Sequence, residues 1–408
     1  MDVVAIDRAD HQGDARRHLV GTPPDTSRVT PRLRIGMVST YPPTLCGLAT
    51  FSAALRSALV GHGHRVDVVR VDDAGGATPD GAVRAILAPG SPESMSEAVR
   101  VLDAADVAMV QHEFGIYGGP DGDEIVALAG SVSAPLVVVL HTVPAQPSAH
   151  QAQILAGLTR LARWTVVMSG AARDRLVGLH PGIDRDRLVT IPHGAAVPEW
   201  RGVLETASPT GRGLLTWGLI GPGKGIEHVI DAVALLRADG LDVPYTVAGV
   251  THPKVLARDG ESYRDGLRAR ARARGVSDLV TFDSSYRTPE EMTDFVASAG
   301  VVVLPYDSRE QVTSGVLVDS IAAGRPVVAT AFPHAVEMLS DGAGVVVPHA
   351  SPRHLAAAVR AVIADPSALG SMARRSRQIA PSLSWSAVAQ SYAALCAPAP
   401  GREAGTAA

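Results

Sequence analysis

Cysteine is scarce in this sequence, which has only Cys46 and Cys396 in 408 residues. Because the two lie far apart in the chain and lack metal-ligand spacing, the sequence predicts no disulfide framework, and we expect a reducing, cytoplasmic compartment. Long apolar runs are also missing, since none reaches the roughly 18 residues that predict a membrane span. The first 31 residues lack the apolar segment of a signal peptide. They and the tail 397–408 are predicted to be disordered.

An excess of positive charge is missing too, because the formal net charge is −4. This balance argues against nucleic acid as a partner, although local sites can still hold small anions. The G-x-G-x-x-G, Walker A and H-E-x-x-H motifs are absent. The histidines His112, His141, His193 and His334 do not share metal-ligand spacing. The sequence therefore predicts neither a bound cofactor nor a metal site.

Apolar residues, at 46%, and charged residues, at 19%, fit a globular protein that is too long for one core. Short apolar runs alternate with helical patterns twice, from "LRIGMVST" to "LVTIPHG" and from "GLLTWGLI" to "GVVVP". A stretch without periodicity, "AAVPEWRGVLETASPTGRG", separates the two series as a linker. We therefore predict two doubly wound α/β domains at 32–200 and 211–375, with a ligand site in the cleft between them.

Several polar residues follow predicted strands in the first domain. Gly47 in "YPPTLCGLATF" opens a helix, where glycine lets a ligand approach the backbone and the helix amides favour anions. His141 ends "PLVVVLH", and His112 with Glu113 ends "DVAMVQHE", at the edge where open sheets bind ligands. The alternatives are a tight turn at Gly47 and hydrogen-bonded structural histidines.

Lys224 in "LIGPGKGIEH" lies at the start of the second domain's first helix. A cation there opposes the helix dipole by roughly 0.3–1 kcal/mol, which is easier to explain if an anion lies between the lysine and the helix amides. The flanking residues Gly223 and Gly225 favour a phosphate site. The alternative is a lysine that bends into solvent.

A second helix start lies in "QVTSGVLVDSIAAGRPVVAT". Thr313 or Ser314 is its predicted N-cap. The amides of Gly315, Val316 and Leu317 in the first turn are then expected to be free to bind an anion or sugar hydroxyls.

The same helix carries one acid, Asp319, on a face of small residues. That face contains Gly315, Val316, Asp319, Ala322 and Ala323. Leu317 and Ile321 point elsewhere and are predicted to be core. A ligand that lies against the small face could give its vicinal hydroxyls to Asp319. The alternative is an aspartate that faces solvent.

Taken together, these segments resemble the retaining glycosyltransferase family 4. The resemblance covers about 34–396 and depends on "TYPPTLCGLATF", "QHEFGIYGG", "GKGIEHVIDA", "SGVLVDSIAAGRPVVAT" and "SWSAVAQSYAAL". It implies the GT-B architecture, two Rossmann-like domains facing a central cleft. It also implies that the closing helix, 384–396, crosses back to the first, acceptor-binding domain.

The resemblance also implies roles for single residues. Lys224 matches the lysine that binds the donor diphosphate, His141 the histidine near the donor sugar, and Gly47 the glycine of the first loop. Gln311 and Asp319 occupy the positions of two glutamates in many members, the first near the sugar and the second on the ribose hydroxyls. Catalytic roles are thus expected for His141, Lys224 and Gln311. Donor binding is expected of Gly47, Ser314, Gly315, Val316 and Leu317 as well as of Lys224 and Asp319, and His112 and Glu113 are expected at the acceptor or elsewhere in the cleft.

Two positions depart from the family pattern: Gln311 replaces a carboxylate, and Leu219 stands where many members have an arginine. Phosphate binding would then depend more on Lys224 and helix amides, or on Arg309.

The resemblance implies a retaining hexosyltransferase of carbohydrate biosynthesis that moves a sugar from a nucleotide-diphosphate sugar to a carbohydrate or glycoconjugate acceptor without a metal. Contact with a membrane surface and the oligomeric state stay open. A nucleotide-sugar epimerase on the same fold and a non-catalytic nucleotide-sugar-binding or scaffold protein are the alternatives.

Overall fold

The computed structural model describes residues 31–71, 81–198, 213–285 and 287–397. Residues 1–30 of the predicted N-terminal extension, nearly all of the tail and most of the linker lie outside these residues. Two sheets, each with helices between its strands, make up the described chain.

The first sheet has seven strands in the order β3-β2-β1-β4-β5-β6-β7, and all neighbouring pairs are parallel. Its strands are β1 (Arg34–Ser39), β2 (Arg65–Val71), β3 (Val83–Leu87), β4 (Val107–His112), β5 (Leu136–Leu140), β6 (Trp164–Val167) and β7 (Leu188–Thr190). Its helices are α1 (Gly47–Gly61), α2 (Pro92–Asp103), α3 (Glu124–Ser131), α4 (Ala149–Leu161) and α5 (Gly170–Leu179). The order reverses between β1 and β4, and ligands of such sheets bind at this crevice.

The second sheet has six strands in the order β10-β9-β8-β11-β12-β13, again all parallel. Its strands are β8 (Leu214–Trp217), β9 (Tyr245–Ala248), β10 (Val280–Asp283), β11 (Val301–Leu304), β12 (Val327–Thr330) and β13 (Gly344–Val347). Its helices are α6 (Ile226–Ala238), α7 (Pro253–Asp259), α8 (Ser262–Ala273), α9 (Pro289–Ser298), α10 (Gly315–Ala322), α11 (Pro333–Leu339), α12 (Pro352–Ala364) and α13 (Pro366–Leu383). Here the order reverses between β8 and β11.

Apolar periodicity explains why these segments form these elements. Every residue of β5, "LVVVL", is buried, as expected for a parallel strand covered by helices on both faces. On α6, five apolar residues form the predicted buried stripe: Ile226, Val229, Ile230, Val233 and Leu236. Gly240 follows that helix with φ 81°, a left-handed conformation that glycine adopts without strain. The predicted fold class, two doubly wound α/β domains, is confirmed.

The chain passes between the two sheets at two adjacent points. After α13 it enters the last helix, α14 (Trp385–Cys396), which packs on the core of the first sheet beside Ile35 and Phe51. At this second crossing, Trp385 N donates to Ala195 O over 3.1 Å, and Ala195 N donates to Leu383 O over 2.7 Å. The two crossing segments are therefore bonded to each other.

None of the described helices is by itself long and apolar enough to cross a membrane. One pair, α12 with α13, passes that test only when taken together, on length and composition, and the pair bends by 95°.

Candidate functional site

The N-terminus of α10 faces the first domain. Ser314 is its N-cap, and the Ser314 Oγ accepts a hydrogen bond from Leu317 N at 3.3 Å. The expectation of a free Leu317 amide was therefore wrong, because the cap uses it. Gly315 and Val316, the first two residues of the helix, have amides without an acceptor inside the helix. These two amides can bind an anion.

Asp319 lies one turn further along the half-buried side of α10. No described residue forms a salt bridge or hydrogen bond with its carboxylate, and burial raises its pKa to about 7. Leu317 and Ile321 are fully buried, as predicted, but so are Ala322 and Ala323. The predicted open face is therefore shorter than expected and ends at Asp319.

Lys224 lies in the loop after β8, one residue before the N-cap of α6. Its Nζ is 4.4 Å from the centroid of the Tyr306 ring, and burial lowers its pKa. No acidic partner for it is found among the described residues. Gly225 must be glycine, because it has φ 64° and a Cβ there would lie 1.9 Å from Pro305 O. This close approach brings the lysine loop against the loop that leads to α10.

Lysine is rare in this chain, since Lys224 and Lys254 are its only two lysines. Lys254, at the start of α7, is exposed, and a Cβ at Gly115 in the first domain would lie 3.8 Å from its Nζ. Arg309, named as a substitute for the missing arginine, is also exposed, whereas Leu219 is half-buried.

Gln311 lies in the loop 305–314, between β11 and α10. Its Nε2 donates to Thr313 O over 3.1 Å, and its backbone oxygen accepts from His334 N at 3.3 Å. The His334 Nδ1 in turn accepts from Ser314 N at 2.9 Å. His334 is therefore a neutral bridge between the loop and the N-cap, and burial lowers its pKa to about 3.

His141 follows β5, and its Nε2 lies 2.8 Å from the Gln111 Oε1. Its ring meets that of Phe51 edge-on, with centroids 4.7 Å apart. Burial, with smaller contributions from His193 and His112, lowers its pKa well below the ordinary value. His141 is therefore neutral near pH 7.

His193 was not among the predicted site residues. It follows β7 in the first domain, and a Cβ at Gly315 of the second domain would lie 3.0 Å from its Nε2. Its Nδ1 lies 2.7 Å from Gly194 O, and burial lowers its pKa to about 4. The sequence held a weaker form of the signal for His141, because His193 ends the apolar run "LVTIPHG" but lies three residues after the last residue of β7.

The two residues assigned to the acceptor side behave differently from that expectation. His112 is fully buried and stacks edge-on with Phe114, so it does not line an open cleft. It belongs to β4, which lies between β1 and β5 and is covered on both faces. Glu113 accepts from Thr142 Oγ1 at 2.5 Å and from Phe114 N at 3.0 Å, and burial raises its pKa. Glu113 therefore ties two strand-end loops together.

The loop between β1 and α1 is more open than the surroundings of His112 and Glu113. Gly47 begins α1, whose N-cap Cys46 accepts at Sγ from Ala49 N at 3.3 Å. A Cβ at Gly47 would meet nothing within 4 Å, so packing does not require glycine here. The preceding Leu45 is 72% exposed. This loop leaves room for a ligand.

One cluster in the described chain has groups that could hold a metal ion, namely Glu227, His228 and Asp307. Their ligand atoms lie within 4.8 Å of one another, at the start of α6 next to Lys224. The His228 Nε2 is 3.2 Å from the Asp307 Oδ1, and Glu227 accepts from Tyr263 OH at 2.8 Å. Bonds among protein groups account for this cluster.

Two surface cavities of about 540 Å³ each lie elsewhere, around Leu136 and Trp164 and around His180 and Ile183. Leu136 and Trp164 begin their strands, so the first cavity lies at the amino end of the sheet, opposite the cleft. Neither cavity contains a predicted site residue.

The fold is that of the GT-B glycosyltransferases. Sucrose-phosphate synthase from Thermosynechococcus elongatus matches with a TM-score of 0.69 and 17% identity, over 89% of this chain and 98% of that one. HepE from Anabaena, in complex with UDP, matches with a TM-score of 0.64 and 16% identity, also over 89% and 98%. At such identities the likeness shows the fold alone.

The match to a family model lies within the second domain. Residues 211–365, less than half of the chain, match the model of the family described as Glycosyl transferases group 1. Alpha-D-kanosaminyltransferase from Streptomyces kanamyceticus is 31% identical over 150 residues, 36% of each chain. D-inositol 3-phosphate glycosyltransferase 1 from Catenulispora acidiphila is 28% identical over 248 residues, 57% of this chain and 54% of that protein. The chain thus spans only about a third to a half of these curated relatives.

Proposed function

We propose that the protein is a retaining glycosyltransferase that moves a sugar from a nucleotide-diphosphate sugar to a carbohydrate or glycoconjugate acceptor. The observation that carries this proposal is Asp319. This half-buried carboxylate has no partner in the described chain, and it lies one turn from the two open amides of α10. A nucleoside diphosphate satisfies both groups, because its ribose donates hydroxyls to Asp319 and its phosphates accept from the amides.

Lys224 gives the donor site its positive charge. The departing nucleoside diphosphate gains negative charge in the transition state, and preorganised donors in a water-poor site stabilise such charge strongly. Lys224 is partly desolvated and has no acidic partner in the described chain, so a phosphate would be its counter-ion. Together with the amides of Gly315 and Val316, it would perform this role without a metal.

The first domain would bind the acceptor and would contribute the neutral His141 ring to the site. Gly47 leaves open space at the start of α1, and the rings of His141 and His193 both contact the Phe51 ring, with centroids 4.7 and 5.0 Å away. With the domains closed, water would be kept from the donor and wasteful hydrolysis reduced. The relatives reported above are transferases, which favours sugar transfer over epimerisation. Unpaired Cys46 and Cys396 fit the expected reducing cytoplasm.

The proposal is tested first by binding and then by turnover. Melting temperatures would be measured with UDP, GDP and ADP sugars, with Asp319→Ala as the matched variant. We expect one nucleotide class to stabilise the wild type and to stabilise the variant less. Transfer to simple sugar acceptors and the anomeric configuration of the product would follow by NMR. The proposal fails if no sugar nucleotide stabilises the wild type. A product with inverted anomeric configuration would contradict the proposed retention but not the proposed sugar transfer.

A further inference from the structure

The loop that carries Gln311 is bonded to the first domain on both sides of that residue. Arg175, on α5, donates from Nη1 to Glu310 O over 2.7 Å. Ser169, the N-cap of α5, donates from Oγ to Val312 O over 2.7 Å. Gln311 itself bonds only within the second domain in the described chain. Its neighbours therefore connect it to the first domain.

The same contacts reach the segment that follows His141. The Nη1 of Arg175 also donates to Val143 O over 3.2 Å, and the arginine forms a salt bridge of 3.2 Å with the Glu310 carboxylate. That carboxylate accepts from Ala145 N at 3.1 Å. The arginine side chain is 19% exposed and the Glu310 side chain 59%, so solvent screens the salt bridge, and the bonds to the two backbone oxygens carry most of this link. One arginine thus joins the loop after His141 to the loop of Gln311.

A carboxylate of the second domain closes the N-terminus of α5. Glu337, on α11, accepts from Gly170 N at 2.9 Å with Oε1 and from Ala171 N at 3.1 Å with Oε2. An acid at a helix N-terminus is favoured by the helix dipole and forms strong charge-assisted bonds. Glu337 stands one turn after His334, whose backbone N bonds to Gln311 O. The helix that supports the loop of Gln311 is therefore held on the first domain.

The expected nucleotide contacts do not share this dependence. Lys224, Gly315, Val316 and Asp319 all belong to the second domain. Loss of a bond to α5 would leave them in place but would release the loop of Gln311. An effect on the donor sugar can therefore be separated from an effect on the nucleotide.

We propose that Ser169, Arg175 and Glu337 are positioning residues, through which the first domain holds the loop of Gln311 in the shape that accepts the donor sugar. This inference rests on the proposed function and adds to it. Sugar selection becomes a property of both domains, and the sugar site is completed only when the domains are together. Nucleotide binding stays a property of the second domain.

The test compares Arg175→Ala and Glu337→Gln with Arg173→Ala. Arg173 lies on the same helix, but its guanidinium bonds to Leu188 O within the first domain. Binding of UDP and of UDP-glucose (or the nucleotide that the melting panel selects) would be measured by calorimetry. In the two test variants we expect UDP affinity within about twofold of wild type, and sugar-nucleotide affinity and kcat lower by about tenfold or more. Arg175→Lys and Glu337→Asp should recover part of this loss, and Arg173→Ala should match the wild type.

Hydrogen exchange supplies a readout that needs no activity. Amides of residues 308–314 should exchange faster in Arg175→Ala and Glu337→Gln but not in Arg173→Ala. Unchanged exchange together with an unchanged ratio of sugar-nucleotide to nucleotide affinity would overturn the inference. Equal losses of UDP and sugar-nucleotide affinity would overturn it too, since that result describes general damage. If the wild type itself binds no sugar nucleotide, the proposed function fails, and the sugar part of this inference fails with it.

Discussion

The charged groups expected at the site are partnered differently on the two sides of the cleft. On the second domain, Asp319 and Lys224 lack partners of opposite charge in the described chain, and α10 begins with open amides. On the first domain, Glu113 accepts two hydrogen bonds, and His141 is bonded to Gln111. A half-buried charged group without a partner costs desolvation free energy, and a ligand that supplies the missing partner offsets this cost. The second domain is therefore the one prepared for a charged ligand.

The side chains on the two sides of the cleft also differ in their charge near pH 7. On the first domain, burial lowers the pKa of His141 and lowers that of His193 to about 4, so both are neutral near pH 7. Neutral imidazole rings can orient hydroxyl groups, but they cannot balance the negative charge of a diphosphate. We therefore expect the nucleotide to depend on the second domain and the transfer step to depend on both.

Removal of Lys224 should show the largest effect. Lys224→Ala leaves the diphosphate charge without its cation, and the loss of one such donor typically lowers the rate by roughly 10²–10³. Steady-state kinetics would measure kcat/KM with the donor that the melting panel selects. Arg258→Ala, which removes an exposed arginine paired with Asp259, is the control. Equal kcat/KM in both variants would mean that Lys224 serves no anion.

Asp319 tests the ribose contact. Asp319→Ala should weaken nucleoside diphosphate binding by about 1.5–3 kcal/mol, the range for hydrogen bonds to a charged group. Calorimetry with the diphosphate and its 2′-deoxy analogue would show a preference for ribose in the wild type and none in the variant. Asp319→Glu should keep part of the affinity. If Asp319→Ala retains the full preference for ribose, a residue other than Asp319 binds the ribose hydroxyls.

His141 tests the other side of the cleft. His141→Ala should lower kcat by about 10–100-fold, because it removes a bonded ring from the expected reaction centre while the second domain keeps its nucleotide contacts. Kinetics and calorimetry on the same preparation separate turnover from binding. A selective loss of nucleotide affinity, with turnover per bound donor intact, would reverse the roles of the two domains.

The ionisation of Asp319 should also make the free energy of unfolding depend on pH. Its pKa is about 7 in the folded protein against an ordinary value of 3.8, so the folded state binds more protons between these values. Stability from this group is therefore present at low pH and is lost as pH rises toward 7. Compared with Asp319→Asn, the wild type should lose about 1 kcal/mol or more of unfolding free energy from pH 4 to pH 7. Urea unfolding of both proteins at both pH values measures this loss. If the unfolding free energies of the wild type and Asp319→Asn change equally between pH 4 and pH 7, the Asp319 carboxylate is exposed to water.

Local patterns in the sequence predicted what depends on local structure. The alternation of strands and helices, the cap at Ser314 and the buried Leu317 and Ile321 follow from short-range periodicity. The burial of Ala322 was missed because it depends on the elements packed against α10. The burial of His112 was missed because sequence does not say that β4 is a central strand.

Contacts between distant segments were beyond the sequence. Glu337 and Gly170 are bonded although 167 positions separate them, and no pattern in either segment predicts this pair. The closeness of His193 to Gly315 likewise depends on how the two domains meet. These are the contacts on which the inference about Arg175 and Glu337 depends.

The smallest effect is expected from removal of metal ions. If Lys224 and the amides of α10 supply all the positive charge that the diphosphate needs, turnover should survive excess EDTA within about twofold, because no donor is lost. The cluster of Glu227, His228 and Asp307 beside Lys224 makes this a sharp test, since it is the described group best placed to hold an ion. His228→Ala separates the possibilities. Abolition by EDTA, rescue by Mn²⁺ and loss of that rescue in His228→Ala would assign the missing charge to this cluster. The second domain would then owe its affinity for the donor to a cation as well as to its lysine.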